Sequence, residues 1–311
     1  MRSEDVRNFV VVARYSTLLR AAQELAISQP TLSKSVARLE RAVGAKLLER
    51  LPRGVALTES GRAFVEHADK AALNLQDGLA AVRDLRMAEA GTVTVGLGVS
   101  VPQLLLADAC RKLWATTNIH VEITGGMSRS LAQGVAAGEC DFAITNLPPD
   151  RASLKWQVLF ADPILPIVPV GVSFGRSGRV TWEELVTQSW VAPSIGSSVR
   201  KWFERQFLQR KLPIPEVVLS LNDYLTAPEF GEAVGAITLM PASFLRREGL
   251  SGRYRALRTP EDWRSDRTVG LLVRRHGYLS PAARRLRQTI VSVATERFSD
   301  DIRPKRARGT P

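Results

Sequence analysis

Residues 16–62 constrain the fold of this chain more than any other stretch, because they carry the pattern of two short helices around a tight turn, followed by a basic hairpin. Ser16 or Thr17 can cap the first helix, and Ser28 can cap the second. Pro30 falls in the first turn of the second helix, where no backbone donor is needed. The apolar residues of the first helix stand at the i, i+3, i+4, i+7 spacing of one helical face: Leu18, Ala21, Ala22 and Leu25.

The second helix of this pair has one apolar and one polar face. Leu32, Val36, Leu39 and Val43 are predicted to be its buried residues. In a helix-turn-helix, the polar face near the N-terminal end presents side chains to base edges. Glutamine can read adenine with two hydrogen bonds, and lysine or arginine suits guanine or phosphate. We therefore predict DNA contacts from Gln29, Pro30, Thr31, Ser33, Lys34 and Arg38.

A short hairpin follows the helix pair. Strand candidates at 47–50 and 55–57 are joined by a turn at 52–54, which places Arg53 at its tip. Such a wing fits beside a phosphate backbone or in the minor groove, so we expect Arg53 to contact DNA. Two alternatives stay open, since paired helices with a polar face also occur in proteins that never bind DNA, and the turn can be ordinary solvated surface.

Residues 21–50, followed by R-G-V-A-L-T-E-S-G-R at 53–62, resemble the DNA-binding signature of the LysR-type transcriptional regulators almost residue for residue. The chain departs at Leu48, where the family usually has phenylalanine, and at Lys34, where arginine is commoner. Both changes keep the role of the side chain. The resemblance implies an α/β protein with an N-terminal all-α winged helix-turn-helix, a long linker helix and a periplasmic-binding-protein-like effector domain of two subdomains.

A long helix is predicted from Thr58, a candidate cap, to about Glu89. Small and apolar residues recur in it at alternating steps of four and three, which is a coiled-coil seam. An exposed rod with this seam implies a homodimer with two reading heads, whose DNA target is an interrupted inverted repeat. Packing against its own chain is the alternative, and the family resemblance adds a homotetramer. The seam comprises Phe64, Ala68, Ala71, Leu75, Val82 and Leu85.

From Gly91 onward, strand candidates alternate with helical stretches, which predicts parallel sheets covered on both faces. In the resembled family the chain crosses between the subdomains and returns, and we place the crossings near Asp162 and Asp266. The predicted strands are 92–97, 120–124, 141–145, 165–170, 190–192, 217–221, 236–239 and 268–274, with helices at 102–115, 128–138 and 281–298.

These elements predict five regions. They are a winged helix-turn-helix domain at 1–58, a linker and dimerisation helix at 59–90, effector subdomain I at 91–162 and 267–298, effector subdomain II at 163–266, and a basic tail at 299–311, which we expect to be disordered.

Polar residues cluster where the predicted strands end. In open α/β sheets, small ligands bind beyond the carboxyl ends of the strands. Hydroxyl groups and free N–H groups at helix N-termini favour anions, typically carboxylates. Each serine singly is more often a helix cap, but the set predicts a small organic anion as effector between the subdomains. The candidates are Ser100, Gly126, Ser128, Thr145, Asn146, Ser194, Ser197, Ser198 and Asn222.

No catalytic pattern is present in the sequence. His67, His120 and His276 have no metal-ligand spacing, and there is no G-x-S-x-G motif, phosphate-binding loop or dinucleotide fingerprint. Cys110 and Cys140 suit buried, reduced thiols. A redox switch is the alternative, because some relatives sense oxidants, but these positions do not match that pattern. We expect no enzyme activity, no cofactor and no metal.

The net charge of +12 and the pI near 10.4 suggest a polyanionic partner. Residues 1–90 hold 14 basic and 11 acidic side chains, so most of the excess lies further along, where we interpret it as solvated surface, with contact to bent DNA as the alternative. No apolar stretch approaches the roughly 20 residues of a membrane span, and the N-terminus begins no secretory signal. A cytoplasmic protein without membrane partners is expected.

Three functions fit parts of this pattern. A small-solute-binding protein accounts for residues 91–298 alone, and a general nucleoid-associated DNA-binding protein accounts for the head and the charge alone. A sequence-specific transcriptional regulator, modulated by a small-molecule effector, accounts for both halves and is our prediction. RNA polymerase stays open as a further partner, and the sequence does not identify the effector, the operator or the regulated genes.

Overall fold

The computed structural model describes residues 2–15, 17–52, 54–84, 91–146, 152–172, 179–245, 250 and 252–298. The chain divides into two compact units, and each is described by itself. The first comprises Met1–Ala88 with His276–Ser280, and the second comprises Glu89–Arg275 with Pro281–Pro311.

The first unit contains a small helical head with a two-stranded hairpin. Thr17 caps the second helix by accepting a hydrogen bond from the Arg20 N–H, and Ser28 caps the third through the Thr31 N–H at 3.3 Å. Both caps confirm the prediction. The elements are α1 (Ser3–Arg14), α2 (Leu18–Glu24), α3 (Gln29–Val43), β1 (Leu48–Leu51), β2 (Gly54–Leu57) and α4 (Glu59–Asp84).

The apolar face of α3 closes the core of the head. Leu32 and Leu39 are fully buried, and Phe9 of α1 packs in the same cluster as Leu39. The prediction for Val43 was wrong, since it is 36% exposed. Val43 is the last residue of α3, and the chain turns away at Gly44, whose φ of 77° is in the left-handed region that glycine favours.

The long helix α4 begins where it was predicted to begin. The Thr58 hydroxyl accepts from the Gly61 N–H at 2.9 Å and donates to the Lys46 carbonyl at 2.7 Å. A Cβ on Gly61 would lie 2.0 Å from the Leu47 carbonyl oxygen, so this close approach requires glycine. The 26 residues of α4 span about 39 Å.

The predicted seam of α4 divides into two parts. Phe64 and Ala68 pack against the core of their own head, which corrects the prediction of an exposed seam at these two positions. Further along, Ala71 is exposed, and Leu75 and Val82 are 48% and 57% exposed. Leu85 lies outside the described residues, as does the tail at 299–311.

The second unit contains two five-stranded sheets. Its strands are β3 (Thr92–Gly98), β4 (His120–Gly126), β5 (Phe142–Thr145), β6 (Leu154–Ala161), β7 (Ile164–Pro169), β8 (Trp190–Ala192), β9 (Val217–Ser220), β10 (Ile237–Pro241), β11 (Tyr254–Ala256) and β12 (Thr268–Arg274). Its helices are α5 (Gln103–Trp114), α6 (Ser128–Ala137), α7 (Trp182–Val186), α8 (Ser198–Leu208), α9 (Ala227–Val234), α10 (Ala242–Leu245) and α11 (Pro281–Phe298).

The two sheets are mixed, so the expectation of parallel sheets was wrong in part. The strand order is β4-β3-β5-β12-β6 in the first sheet and β11-β7-β10-β8-β9 in the second. Strands β3, β4 and β5 are parallel, but β12 runs antiparallel to both β5 and β6. The reason is that β12 comes back from the other sheet without a crossover helix, and it therefore enters the first sheet from the opposite end.

The chain passes between the sheets twice. Strand β6 ends at Ala161 in the first sheet, and β7 begins at Ile164 in the second. The return lies between β11 and β12, which belong to the second and the first sheet respectively. Within the described residues, no helix combines the length and apolar character needed to span a bilayer.

Candidate functional site

The outer face of α3 carries the residues predicted to contact DNA. This face is free of the apolar core, which lies on the opposite side around Leu32 and Leu39. The Thr31 hydroxyl lies 2.7 Å from the hydroxyl of the capping Ser28, so the cap also orients this side chain. Gln29, Pro30, Thr31 and Lys34 are exposed, Ser33 and Arg38 are half-buried, and Arg53 lies outside the described residues.

A buried polar network, here called the head network, holds α3 against α1. The Asp5 carboxylate accepts from Ser35 Oγ at 2.6 Å and from Arg38 Nη2 at 2.6 Å, and Asn8 donates to Ser35 Oγ at 2.9 Å. Burial alone would raise the pKa of Asp5, but the hydrogen bonds from Arg38 and Ser35 outweigh it and hold that pKa below its ordinary value. Arg38 therefore orients α3, a role that sequence reasoning missed.

A second buried carboxylate ties α3 to the hairpin. Glu40 accepts from the backbone N–H groups of Leu47 and Leu48 at 3.0 and 3.2 Å and from Lys46 Nζ at 2.8 Å. Burial opposes ionisation of Glu40, yet these donors together hold its pKa below the usual value. Glu40 thus fixes the direction in which the wing leaves the helix.

The second unit contains a cavity of about 310 Å³ beyond the strand ends, here called the first compartment. Its wall is formed by residues that follow β3, β4 and β5 of the first sheet and β8 and β9 of the second. A cavity of this volume is at the lower end of the range for small-molecule sites. Six of the predicted residues line it: Ser100, Ser128, Asn146, Ser197, Ser198 and Asn222.

Three predicted residues do not line this compartment, and the structure corrects their assignment. Thr145 is fully buried within β5. Gly126 ends β4 and is not among the lining residues, whereas the next residue, Met127, is one of them. The Ser194 N–H donates to Asn222 Oδ1 at 3.2 Å, and Asn222 Nδ2 donates to Ser194 Oγ at 3.1 Å, so Ser194 positions Asn222.

The first compartment is electropositive. Helices α6 and α8 begin at its wall with Ser128 and Ser198, and helix N-termini carry partial positive charge. Arg129 and Lys201 also line it, and neither forms an ion pair with any residue that the structure describes. No acidic side chain is among its described lining residues. Sequence reasoning missed both cations, because a basic residue on a helix surface is usually solvated.

Tyr224 is another lining residue that the sequence did not reveal. It is 6% exposed, and its hydroxyl has no hydrogen-bond partner within the described part of the chain. Burial raises its pKa to about 12, so the phenol keeps its proton at neutral pH. Tyr224 can therefore donate a hydrogen bond into the compartment.

A buried ion pair, the crossover pair, joins the two passages between the sheets. The Arg267 guanidinium bonds to the Asp162 carboxylate and also donates to the Ser100 carbonyl. Asp162 further accepts from Ser243 N–H and Oγ at 2.9 and 2.8 Å. Both side chains of the pair are at most 6% exposed. Because Ser100 lines the first compartment, the crossover pair is linked directly to the cavity wall.

No metal or thiol chemistry emerges from the described residues. His, Cys, Asp and Glu side chains form no group of three that could hold a metal there. The three histidines are exposed, and Cys110 and Cys140 are buried. Burial raises the pKa of both thiols, which keeps them in the unreactive protonated form.

Two segments of the chain match known protein families. Residues 3–62 match the family described as "Bacterial regulatory helix-turn-helix protein, lysR family", and residues 87–295 match "LysR substrate binding domain". The chain belongs to the LysR family of transcriptional regulators. It is therefore a DNA-binding transcriptional regulator with a substrate-binding domain, and its family is one of regulators and not of enzymes.

Similar proteins span most of this LysR-family chain. The HTH-type transcriptional regulator CitR of Bacillus subtilis is 23% identical over 244 residues, covering 78% of this chain and 83% of CitR. A full-length OxyR variant from Pseudomonas aeruginosa, 23% identical, superposes with a TM-score of 0.66 over 100% of this chain and 99% of its own. Full-length CbnR in complex with its target DNA, 20% identical, gives 0.51 over 94% and 100%. These structures share the fold.

Proposed function

We propose that this regulator binds an interrupted inverted repeat as a dimer, and that a small organic anion held between the effector subdomains changes this binding. The observation that carries the proposal is the first compartment, where Arg129 and Lys201 lie beside two helix N-termini and form no ion pair with the residues that the structure describes. The regulator acts in the cytoplasm on double-stranded DNA, with RNA polymerase as a further partner.

For the DNA-binding head, we assign base contacts to the exposed side chains at the start of α3. Gln29, Thr31, Ser33 and Lys34 carry donors and acceptors that suit base edges, and Pro30 presents an apolar surface. Arg53 at the wing and Arg38 are assigned to the backbone, with Arg38 also held by Asp5. The CbnR complex with its target DNA supports this assignment by fold alone.

For the dimer, we assign the interface to the exposed part of α4. Leu75, Leu79 and Val82 are 48%, 62% and 57% exposed, and they follow one another at steps of four and three along the helix. A tetramer would use a further apolar surface of the effector unit, where Ile123 on the edge strand β4 and Trp114 are each 55% exposed.

The dimer assignment predicts a large loss when charge enters the seam. We expect Leu75→Glu with Val82→Glu to separate the dimer and to weaken binding to a two-half-site operator by about 10²–10⁴-fold, because bivalent binding is lost. Analytical ultracentrifugation and a binding titration measure the two effects. Glu66→Gln, on the exposed surface of the same helix, is the control. An intact dimer in the double variant would exclude this seam as the interface.

For the effector, the wall of the first compartment favours an anion over a neutral or cationic ligand. Two cations, two helix N-termini and the neutral phenol of Tyr224 supply donors, and hydroxyl groups such as that of Ser198 can adapt to the geometry of a carboxylate. A bound anion touches residues from both sheets and can therefore favour one relative arrangement of the subdomains.

Isothermal titration calorimetry with a panel of carboxylate metabolites tests this effector class. We expect Lys201→Gln to weaken a carboxylate that binds by at least about tenfold, since a hydrogen bond to a charged group contributes about 1.5–3 kcal/mol. Lys155→Gln, an exposed lysine on β6, is the matched control and should change nothing. Equal binding of the carboxylate and its uncharged amide would contradict the proposal.

A further inference from the structure

A second cavity adjoins the first compartment. It also has a volume of about 310 Å³, and it is here called the second compartment. Asn146, Ser198 and Val199 line both cavities, so the two are neighbouring parts of one cleft. Together they offer more room than a two-carbon or three-carbon acid fills. The cleft therefore has space for the body of a larger effector beyond its anionic group.

The wall of the second compartment includes a fixed aromatic ring. Trp202 lines it, and its indole Nε1 donates to the Arg264 carbonyl at 3.0 Å. The ring also packs edge-on against Trp263, with the centroids 5.4 Å apart and the planes at 88°. Ile164 and Val199 add aliphatic surface beside it. These contacts hold the indole in one orientation, as a preformed surface for a ring or another flat apolar group.

The two compartments differ in net charge. This difference indicates which end of a ligand each compartment holds. In the first compartment Arg129 and Lys201 have no acidic neighbour among the described lining residues. In the second, Arg205 is accompanied by Asp266. The other cation of that wall, Arg267, is neutralised by Asp162. A second anionic group would therefore find no excess positive charge there, whereas an uncharged ring would find Trp202.

Resting on the proposed anion site, we infer that the effector is a ring-bearing monoanionic organic acid. Its carboxylate occupies the first compartment, and its ring lies against Trp202 in the second. The tryptophan also makes the binding visible, because a ring placed on an indole changes its fluorescence.

Four small probes test the two ends separately on the full chain. They are phenylpropanoate, propanoate, phenylpropanol and the dianion succinate, with affinities measured by calorimetry and by tryptophan fluorescence. We expect phenylpropanoate to bind at least about tenfold more tightly than either propanoate or succinate, because a buried phenyl ring adds favourable apolar contact. Trp202→Leu should remove most of this preference, and Trp202→Phe should keep it. Trp156→Phe, in β6, should leave both the affinity and the fluorescence change intact.

The outcomes separate this inference from the anion proposal. Equal binding of phenylpropanoate and propanoate, or tighter binding of succinate, would overturn the ring assignment and leave the anion site standing. Equal binding of phenylpropanol and phenylpropanoate would overturn the anion site instead. A phenyl preference that survives in Trp202→Leu, with the thermal melting of the variant unchanged, would remove Trp202 from the site. Failure of all four probes to bind would contradict both proposals.

Discussion

The head network and the first compartment of the effector cleft differ in whether their charged side chains are paired. Under α3, both carboxylate oxygens of Asp5 accept hydrogen bonds, from Ser35 and from Nε and Nη2 of Arg38. In the cleft, Arg129 and Lys201 stand without an ion pair in the described structure. A buried network whose polar groups are hydrogen-bonded holds one geometry, whereas unpaired donors around a cavity can bind a ligand. Asp5 therefore maintains the fold of the head, whereas Arg129 and Lys201 are available to the anion that we propose.

We expect the largest loss of stability when the crossover pair loses one of its two charged partners. Asp162→Asn leaves the Arg267 guanidinium buried without its counter-charge, and breaking such a pair costs about 3–5 kcal/mol. Urea unfolding of the full chain, followed by tryptophan fluorescence, measures the loss. Glu183→Gln, exposed on α7, is the control and should stay within about 0.5 kcal/mol of the parent. A similar stability for Asp162→Asn and the control would show that the pair is dispensable.

A substitution in the head network should cause a smaller loss of stability, and this loss should depend on pH. Asp5→Asn weakens a hydrogen-bonded buried carboxylate, and we expect a loss of about 1–3 kcal/mol at neutral pH. The pKa of Asp5 is lowered by folding, so its contribution is complete above the unfolded pKa of about 3.9 and disappears as the pH falls through the folded pKa. The stabilities of parent and variant should therefore begin to converge below about pH 4 and meet once the pH is below the folded pKa of Asp5. A gap that persists in acid would exclude the ionised carboxylate as its source.

The head and the compartment wall also differ in how far the sequence predicted them. The head was predicted closely because its signals are local: Thr17 and Ser28 cap helices by accepting from the N–H groups three residues later, and Pro30 marks a first turn. The six hydroxyl and amide residues of the first compartment could be predicted because they follow strands or begin helices. Strand β6 was missed, although the alternation of Lys155 and Gln157 with apolar residues is the period-two pattern of a half-buried strand.

The parts of the fold and of the site that the sequence did not predict depend on contacts between residues that are distant in sequence. Asp162 and Arg267 are 105 positions apart, and only the return of the chain through β12 brings them together. The same return makes the first sheet mixed. Nothing in the sequence distinguishes Lys201 from a solvated cation or Tyr224 from a core aromatic, and their place in one cavity follows from the packing of α8 and the loop after β9.

We propose that an anion in the cleft changes the affinity of the head for DNA, and reciprocal titration measures this coupling. The affinity for a selected operator is measured with and without a carboxylate that binds the cleft, and the affinity for that carboxylate with and without operator. We predict that the two ratios are equal, within the 5–150-fold range of about 1–3 kcal/mol typical of allosteric coupling. We further predict that Lys201→Gln binds operator like the parent but responds to the carboxylate only at higher concentration. Unequal ratios, or a carboxylate that binds the cleft and leaves operator affinity unchanged, would exclude this coupling between anion binding and DNA binding.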